Sequence, residues 1–260
     1  MLIENRERVL LLLLIGLYVF VGAPRVQAQT STELDAADMS GTYLYRVALI
    51  QAAPGKYREA IAFQKGQFAE MEERGESRPF RMRHSQGDRW DFLIIYPMKS
   101  YRSYFDRTEG VDAAESGFIA ISEEESALTA RHEDLFVRGP NWETLEPVLR
   151  ENRFFHIEMF TALPGKRKEL LGQRRMENEF IRGIDRPTNF IFERDAGGGV
   201  DAFTLGCYRD IKHFAESADT PADLEETAAI NAGFEGVGGI SPYLRSLIAE
   251  HHDTLAVAID

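Results

Sequence analysis

Two periods of apolar and polar positions alternate along this chain. Residues 44–51 and 154–161 are runs of β-branched and aromatic side chains that stop at Pro54-Gly55 and Pro164-Gly165, which predicts strands ending at turns. Lys56–Arg74 and Lys166–Arg182 follow, rich in Glu, Lys, Arg, Gln and Ala. In the first, Tyr57, Ile61, Phe68 and Met71 share one helical face, with charge elsewhere, so both segments are predicted as helices. Strands are expected at 80–84 and 90–96 across Ser85-Gln86-Gly87-Asp88, and at 189–194 and 202–208 across Asp195-Ala196-Gly197-Gly198-Gly199. A short helix at 98–107 or 210–217, a second helical stretch and a last strand at 132–137 or 253–259 complete each series.

The two series align. Tyr43 through Pro54-Gly55-Lys56 matches Arg153 through Pro164-Gly165-Lys166 at an offset of 110 residues. Phe80 pairs with Phe190 and, after a small gap, Tyr96 with Tyr208. Gly117-Phe118 answers Gly233-Phe234, and His132-Glu133-Asp134 answers His251-His252-Asp253. Five matches in one order point to an internal duplication. Each copy reads β-α-β-β-α-β, the ferredoxin-like unit, with one sheet face under helices and the other bare. The expected fold class is α+β: two tandem ferredoxin-like repeats packed sheet to sheet as an intramolecular α/β barrel.

The N-terminus modifies this picture. Arg6 and Arg8 precede an apolar stretch from Val9 to Val21, then Val26-Gln27-Ala28, the three regions of a secretory signal peptide. The apolar core is shorter than the roughly 20 residues of a membrane span. The expected organisation is a signal peptide at 1–28, a flexible lead-in at 29–41, a first unit at 42–138, a linker at 139–152 and a second unit at 153–260. Periplasmic or extracellular export follows from it. The formal charge of −12 argues against nucleic acid and against anionic lipid surfaces. A small molecule or further copies of the chain are the partners it leaves. The single cysteine, Cys207, permits no intrachain disulfide and reads as a buried, inert thiol.

The first strand, Pro-Gly-Lys and the charged helix resemble the dimeric α/β-barrel superfamily. Phe155–Lys166 most resembles its NIPSNAP-like and antibiotic-biosynthesis-monooxygenase-like branches. The resemblance spans residues 43–137 and 153–259. It implies a fold more than an activity, because the superfamily includes cofactor-free monooxygenases, haem-handling enzymes and members without assigned chemistry.

Strand alternation nominates a site. Phe154, His156, Glu158 and Phe160 share one face; Phe155, Ile157 and Met159 share the other. With the all-apolar face assigned to the helices, His156 and Glu158 point into the barrel, as do Arg46 and Ala48 of the first copy. Arg81 and Arg83 join them by the same alternation, with Asp91 as an ion partner. Arginines in a dry interior need anions, from Glu158 and Asp91 or from a ligand. His156 beside Glu158 is the candidate general base. Trp90 is a candidate pocket wall, though packing is its simpler role. His132/Asp134 and His251/Asp253 read as capping at the entry to the last strand. No metal site is expected: His251-His252-Asp253 is locally dense, but a metal needs three or four converging ligands and no HxxxH or HExxH spacing is present. No cofactor motif is present: Gly197-Gly198-Gly199 lies between strands and opens no helix.

Three functions compete on this basis. The first is a binder of a small anionic organic molecule between the sheets, held by Arg46, Arg81 and Arg83. The second is an interaction module with a filled interior. The third is a cofactor-independent or haem-using monooxygenase-like enzyme with His156 as base or ligand.

Overall fold

The computed structural model describes residues 41–105 and 122–259. The expected signal peptide, nearly all of the lead-in and the Gly117-Phe118 match lie outside these residues. β1 (Tyr43–Ala52) ends in a turn where Gly55 adopts φ +79°, and the chain enters α1 (Tyr57–Glu73). A side chain at Gly55 would be strained in that left-handed conformation. The hairpin β2 (Phe80–Gln86) and β3 (Phe92–Lys99) follows, then α2 (Tyr101–Phe105), α3 (Glu123–Leu128) and β4 (Thr129–Gly139). After α4 (Trp142–Glu151), β5 (Phe154–Ala162) and α5 (Arg167–Gly183) repeat the opening, with Gly165 again at φ +79°. The hairpin β6 (Phe190–Gly197) and β7 (Ala202–Tyr208) leads to α6 (Ile211–Ala215), α7 (Ala222–Asn231), α8 (Val237–Arg245) and β8 (Ile248–Ala258).

The eight strands close on themselves in the order β1-β3-β2-β8-β5-β7-β6-β4. Every neighbouring pair is antiparallel. Each half contributes four adjacent strands, and two seams join the halves. β2 meets β8 from Met82↔Ala258 to Gln86↔Leu255, and β4 meets β6 from Leu135↔Gly197 to Arg138↔Glu193. Backbone hydrogen bonds therefore continue around the ring, and among the described residues each of the eight strands is paired on both sides.

The barrel is full. Tyr45, Val47, Leu93, Ile95, Phe155, Ile157, Phe192, Phe203 and Leu205 are buried in one apolar cluster drawn from both halves. Phe192 stacks on Phe203 with centroids 4.5 Å apart and meets Tyr45 of the other half edge-on at 5.7 Å. An eight-stranded barrel is just wide enough for side chains to fill. Each such side chain contributes about 1.5–3 kcal/mol through burial.

This reverses the expected direction of the faces. The fully apolar face turns inward, and the face bearing Arg46, Arg81, His156 and Glu158 turns outward beneath the helices. The physical reason is that a closed interior offers no polar partner, whereas a covering helix brings its own polar side chains to the mixed face. The interior expected to hold an anionic ligand is packed with apolar side chains, and Arg46 and Arg81, expected to bind it, lie on the helix side.

Two smaller expectations also change. The segment 139–152 is not a bare linker, because α4 buries Trp142, Leu145 and Leu149 in the interior cluster. Tyr45 donates its hydroxyl to Pro140 O at 2.6 Å beside it, so α4 closes the barrel end where β1 begins. The last strands are longer than predicted, which puts His132, Asp134, His251 and Asp253 inside β4 and β8 and removes their capping role.

Candidate active site on the outer face of β5 and β8

Helix α1 covers β1 and β3. Phe68, Ile61 and Met71 of its apolar face pack on Ala48, Ile50, Ile94 and Tyr96. Two candidate arginines lie in this layer without converging on a common point. The Arg46 guanidinium sits 4.0 Å over the Tyr96 ring and donates to Asp134 Oδ1 at 3.4 Å. Arg81, 2% exposed, donates to Gln64 Oε1 at 2.8 Å and Ile61 O at 3.2 Å, and stands 5.5 Å over the Phe68 ring. A backbone carbonyl, a side-chain amide and a ring face are among its partners. Arg83 is half-buried and donates to His84 O at 3.3 Å.

Asp91 binds none of these arginines. Its Oδ2 accepts the Ala52 amide at 2.8 Å and its own amide donates to Ile50 O, clamping the end of β1. Asp201 does the same for Ala162 at 2.9 Å and Phe160 O in the second half. Trp90 is buried in the interior cluster, where with Leu49, Met159 and Val200 it lines a mouth of about 150 Å³ at the end away from α4. That volume is below the ~300 Å³ of an ordinary ligand pocket. Cys207 is buried, and desolvation pushes its thiol pKa upward, as the inert reading requires.

The second half assembles something different. Glu158 of β5 is 9% exposed beneath α5. Its Oε2 accepts from Thr204 Oγ1 at 3.1 Å and from Arg174 Nη1 at 3.3 Å. Arg174, with 1% side-chain exposure, also binds Gln173 Oε1 at 2.7 Å and the Glu177 carboxylate, and lies 4.7 Å over the Phe160 ring. The other oxygen, Glu158 Oε1, lies 3.3 Å from His251 Nε2. His251 stacks on Phe160 at 4.9 Å and 8°, and its Nε2 is 3.7 Å from Asp253 Oδ2. Asp253 Oδ1 accepts from His156 Nε2 at 2.8 Å.

The electrostatics follow from these contacts. Burial opposes the charge on Glu158, but the His251 bond and the Arg174 guanidinium hold its pKa below the usual range. Glu177 goes the other way: burial raises it and outweighs the help of Arg174, with repulsion from Glu158 adding to the rise. Two carboxylates on one buried cation divide in this manner. The His156 pKa is raised, because its bond to Asp253 and the charge of Glu158 overcome burial. Asp253 is lowered by the same bond.

His156 and Glu158 are thus brought into one cluster, as expected, but on the opposite side of the sheet. Arg174, Glu177, His251 and Asp253 were missed as its members. The register that places Glu158 directly opposite Asp253 links strands far apart in sequence, and no local spacing signals it.

No protein-family model matches the chain, and no curated protein matches its sequence. Solved structures do match its shape. An anthrone oxidase-like protein superposes with a TM-score of 0.55 at 10% identity, over 86% of this chain and 94% of its own. The likeness is one of fold, a closed eight-stranded antiparallel barrel covered by helices. Two further likenesses are weaker. A Lactobacillus acidophilus NCFM protein with a provisional monooxygenase designation gives 0.49 at 8% identity, over 84% of this chain and all of its own. A chlorite dismutase mutant from Candidatus Nitrospira defluvii gives 0.46 at 10%, over 85% and 92%.

A haem-using enzyme is among the functions the sequence suggests, which makes haem a group to test. It does not fit this face: Arg174, Gln173 and Phe160 fill the layer between α5 and β5, and His156 Nε2 is engaged by Asp253.

Proposed function

We propose that the protein is an exported oxygenase-like enzyme without haem, with His156 as general base and Asp253 as its orienting carboxylate. The observation that carries this reading is the 2.8 Å His156–Asp253 bond in a partly exposed setting, above the buried Glu158–Arg174 pair. With Nε2–H donated to Asp253, the tautomer leaves Nδ1 as proton acceptor. Phe214 lies 5.4 Å from the His156 ring and packs on Phe154 and Tyr208, which supplies an aromatic wall. An ionisable, electron-rich polycyclic such as an anthrone suits that wall. Removal of its ring C–H proton gives a carbanion that dioxygen oxidises. The CH₂ becomes a carbonyl, one oxygen atom enters the product and the other leaves as water.

The anthrone oxidase-like neighbour agrees with this substrate class, although its likeness speaks only to fold. The same strand order in each half, with Asp91 and Asp201 in matching roles, supports a duplication within the chain. The leader-like N-terminus supports export. In an oxygen-electrode assay with anthrone, the wild type should consume dioxygen faster than buffer. His156→Gln should lower the rate about 10²–10⁴-fold. Equal rates for the two proteins would end the proposal.

A further inference from the structure

We propose that Glu158 Oε1, His251 Nε2 and Asp253 Oδ2 form a binding site for a divalent first-row cation of the Mn²⁺, Fe²⁺ or Zn²⁺ class. The three atoms lie within 4.8 Å of one another, with His251 Nε2 at 3.3 Å from Glu158 Oε1 and 3.7 Å from Asp253 Oδ2. Ligands about 2.0–2.2 Å from a shared ion stand roughly 3–4 Å apart, as the two His251 distances do.

The outer contacts make the case beyond proximity. Each carboxylate has one oxygen already held and the other turned to the common point. Thr204 and Arg174 take Glu158 Oε2, leaving Oε1. His156 takes Asp253 Oδ1, leaving Oδ2. The Phe160 ring fixes the plane of His251. Partners that orient first ligands in this way are the usual outer layer of a metal site.

The first half shows the contrast. There Ala48 stands opposite Asp134, as Glu158 stands opposite Asp253. Asp134 Oδ1 meets His132 Nε2 at 3.2 Å, and the guanidinium of Arg46 lies 3.4 Å away. On the paired strands, one half thus supplies a built-in cation, Arg46, with Ala48 opposite its carboxylate; the other supplies a histidine in place of Arg46 and a second carboxylate in place of Ala48. The Glu158, His251 and Asp253 donors are oxygen and nitrogen, which suits borderline and hard divalent ions over Cu(I).

The Asp253 side chain is 56% exposed, so an ion has an entry path and would keep open positions. Such an ion beside His156 would hold the oxygen anion of the substrate as a Lewis acid. That role rests on the oxygenase reading, whereas binding itself does not.

The test uses full-length, chelator-treated protein, titrated with Zn²⁺ by calorimetry and with Mn²⁺ by electron paramagnetic resonance. Saturable binding is expected, weakened about tenfold or more by Glu158→Gln and by His251→Gln. Asp253→Asn, at a side chain that is 56% exposed, should give the same loss in an apo-protein that remains folded. Asp134→Asn in the first half should bind as wild type. Absence of saturable binding, or binding indifferent to Asp253→Asn, would overturn the site. No substrate is present in the titration, so a protein that binds metal but oxidises no anthrone removes only the oxygenase reading.

Discussion

Glu158 and Asp253 are directly opposite each other on β5 and β8, yet one is buried under α5 and the other is open to solvent. The sheet therefore carries a continuous polar row from a dry interior layer to water. The buried end is neutralised by Arg174 and the open end is held by His156. A row of this kind can bring a proton or a charged substrate group to a position next to a fixed counter-ion, which a filled barrel interior cannot.

The buried end should be costly to break. Arg174→Ala leaves Glu158 without its cation and Glu177 without its bond, and should destabilise by about 3–5 kcal/mol. Adding Glu158→Gln should recover part of that loss, because the stranded charge is removed. Urea unfolding of the single and double variants measures both numbers. A double variant less stable than Arg174→Ala would show that the pair is not the origin of the cost.

The interior makes a different demand. Phe192 packs against Tyr45 from the other half and Phe203 from its own. Phe192→Ala should cost about 3–5 kcal/mol. Because the cluster is shared, calorimetry should show one transition shifted downward. Two separated transitions would mean that the halves unfold independently.

Features set by local chemistry were legible before the fold was known. The Pro-Gly turns, the apolar face of α1 with Phe68 and Met71, and the hairpins depend on neighbouring residues. The direction of each sheet face was not legible. Alternation groups Arg46 with Ala48 and His156 with Glu158, but only closure of the barrel decides which group meets the helices. Arg174 read as one charge among many on α5, because helix rotation against the sheet, absent from local pattern, brings it to Glu158. α4 was hidden by Pro140 and Pro147, although Trp142, Leu145 and Leu149 fall at helical spacing.

His132 should give stability a pH dependence of its own. Burial opposes its charge, but the bond to Asp134 and the nearby Glu125 carboxylate prevail and hold its pKa at about 9 against an ordinary 6.5. The folded state therefore favours the proton more than the unfolded state does. The stabilisation is complete below pH 6.5 and fades as pH rises through about 9. The melting temperature of the wild type should exceed that of His132→Gln at pH 6, and the gap should close by pH 10. A gap that widens with pH would contradict the sign.

The asymmetry of the halves can be tested by writing one into the other. Gln64 sits on α1 as far past Lys56 as Arg174 sits past Lys166 on α5. Ala48→Glu alone places a carboxylate in a fully buried position and should cost about 2 kcal/mol or more. Gln64→Arg alone puts a second guanidinium beside Arg81 and removes the amide oxygen that Arg81 binds at 2.8 Å, and should also destabilise. Together they rebuild the Glu158–Arg174 pair on the first half. The double variant should then be more stable than the sum of the two losses by about 1–3 kcal/mol, read from a double-mutant cycle in urea. Strict additivity would mean that the two helix–sheet layers are not equivalent frames, and that the second-half cluster depends on α7 and α8 as well.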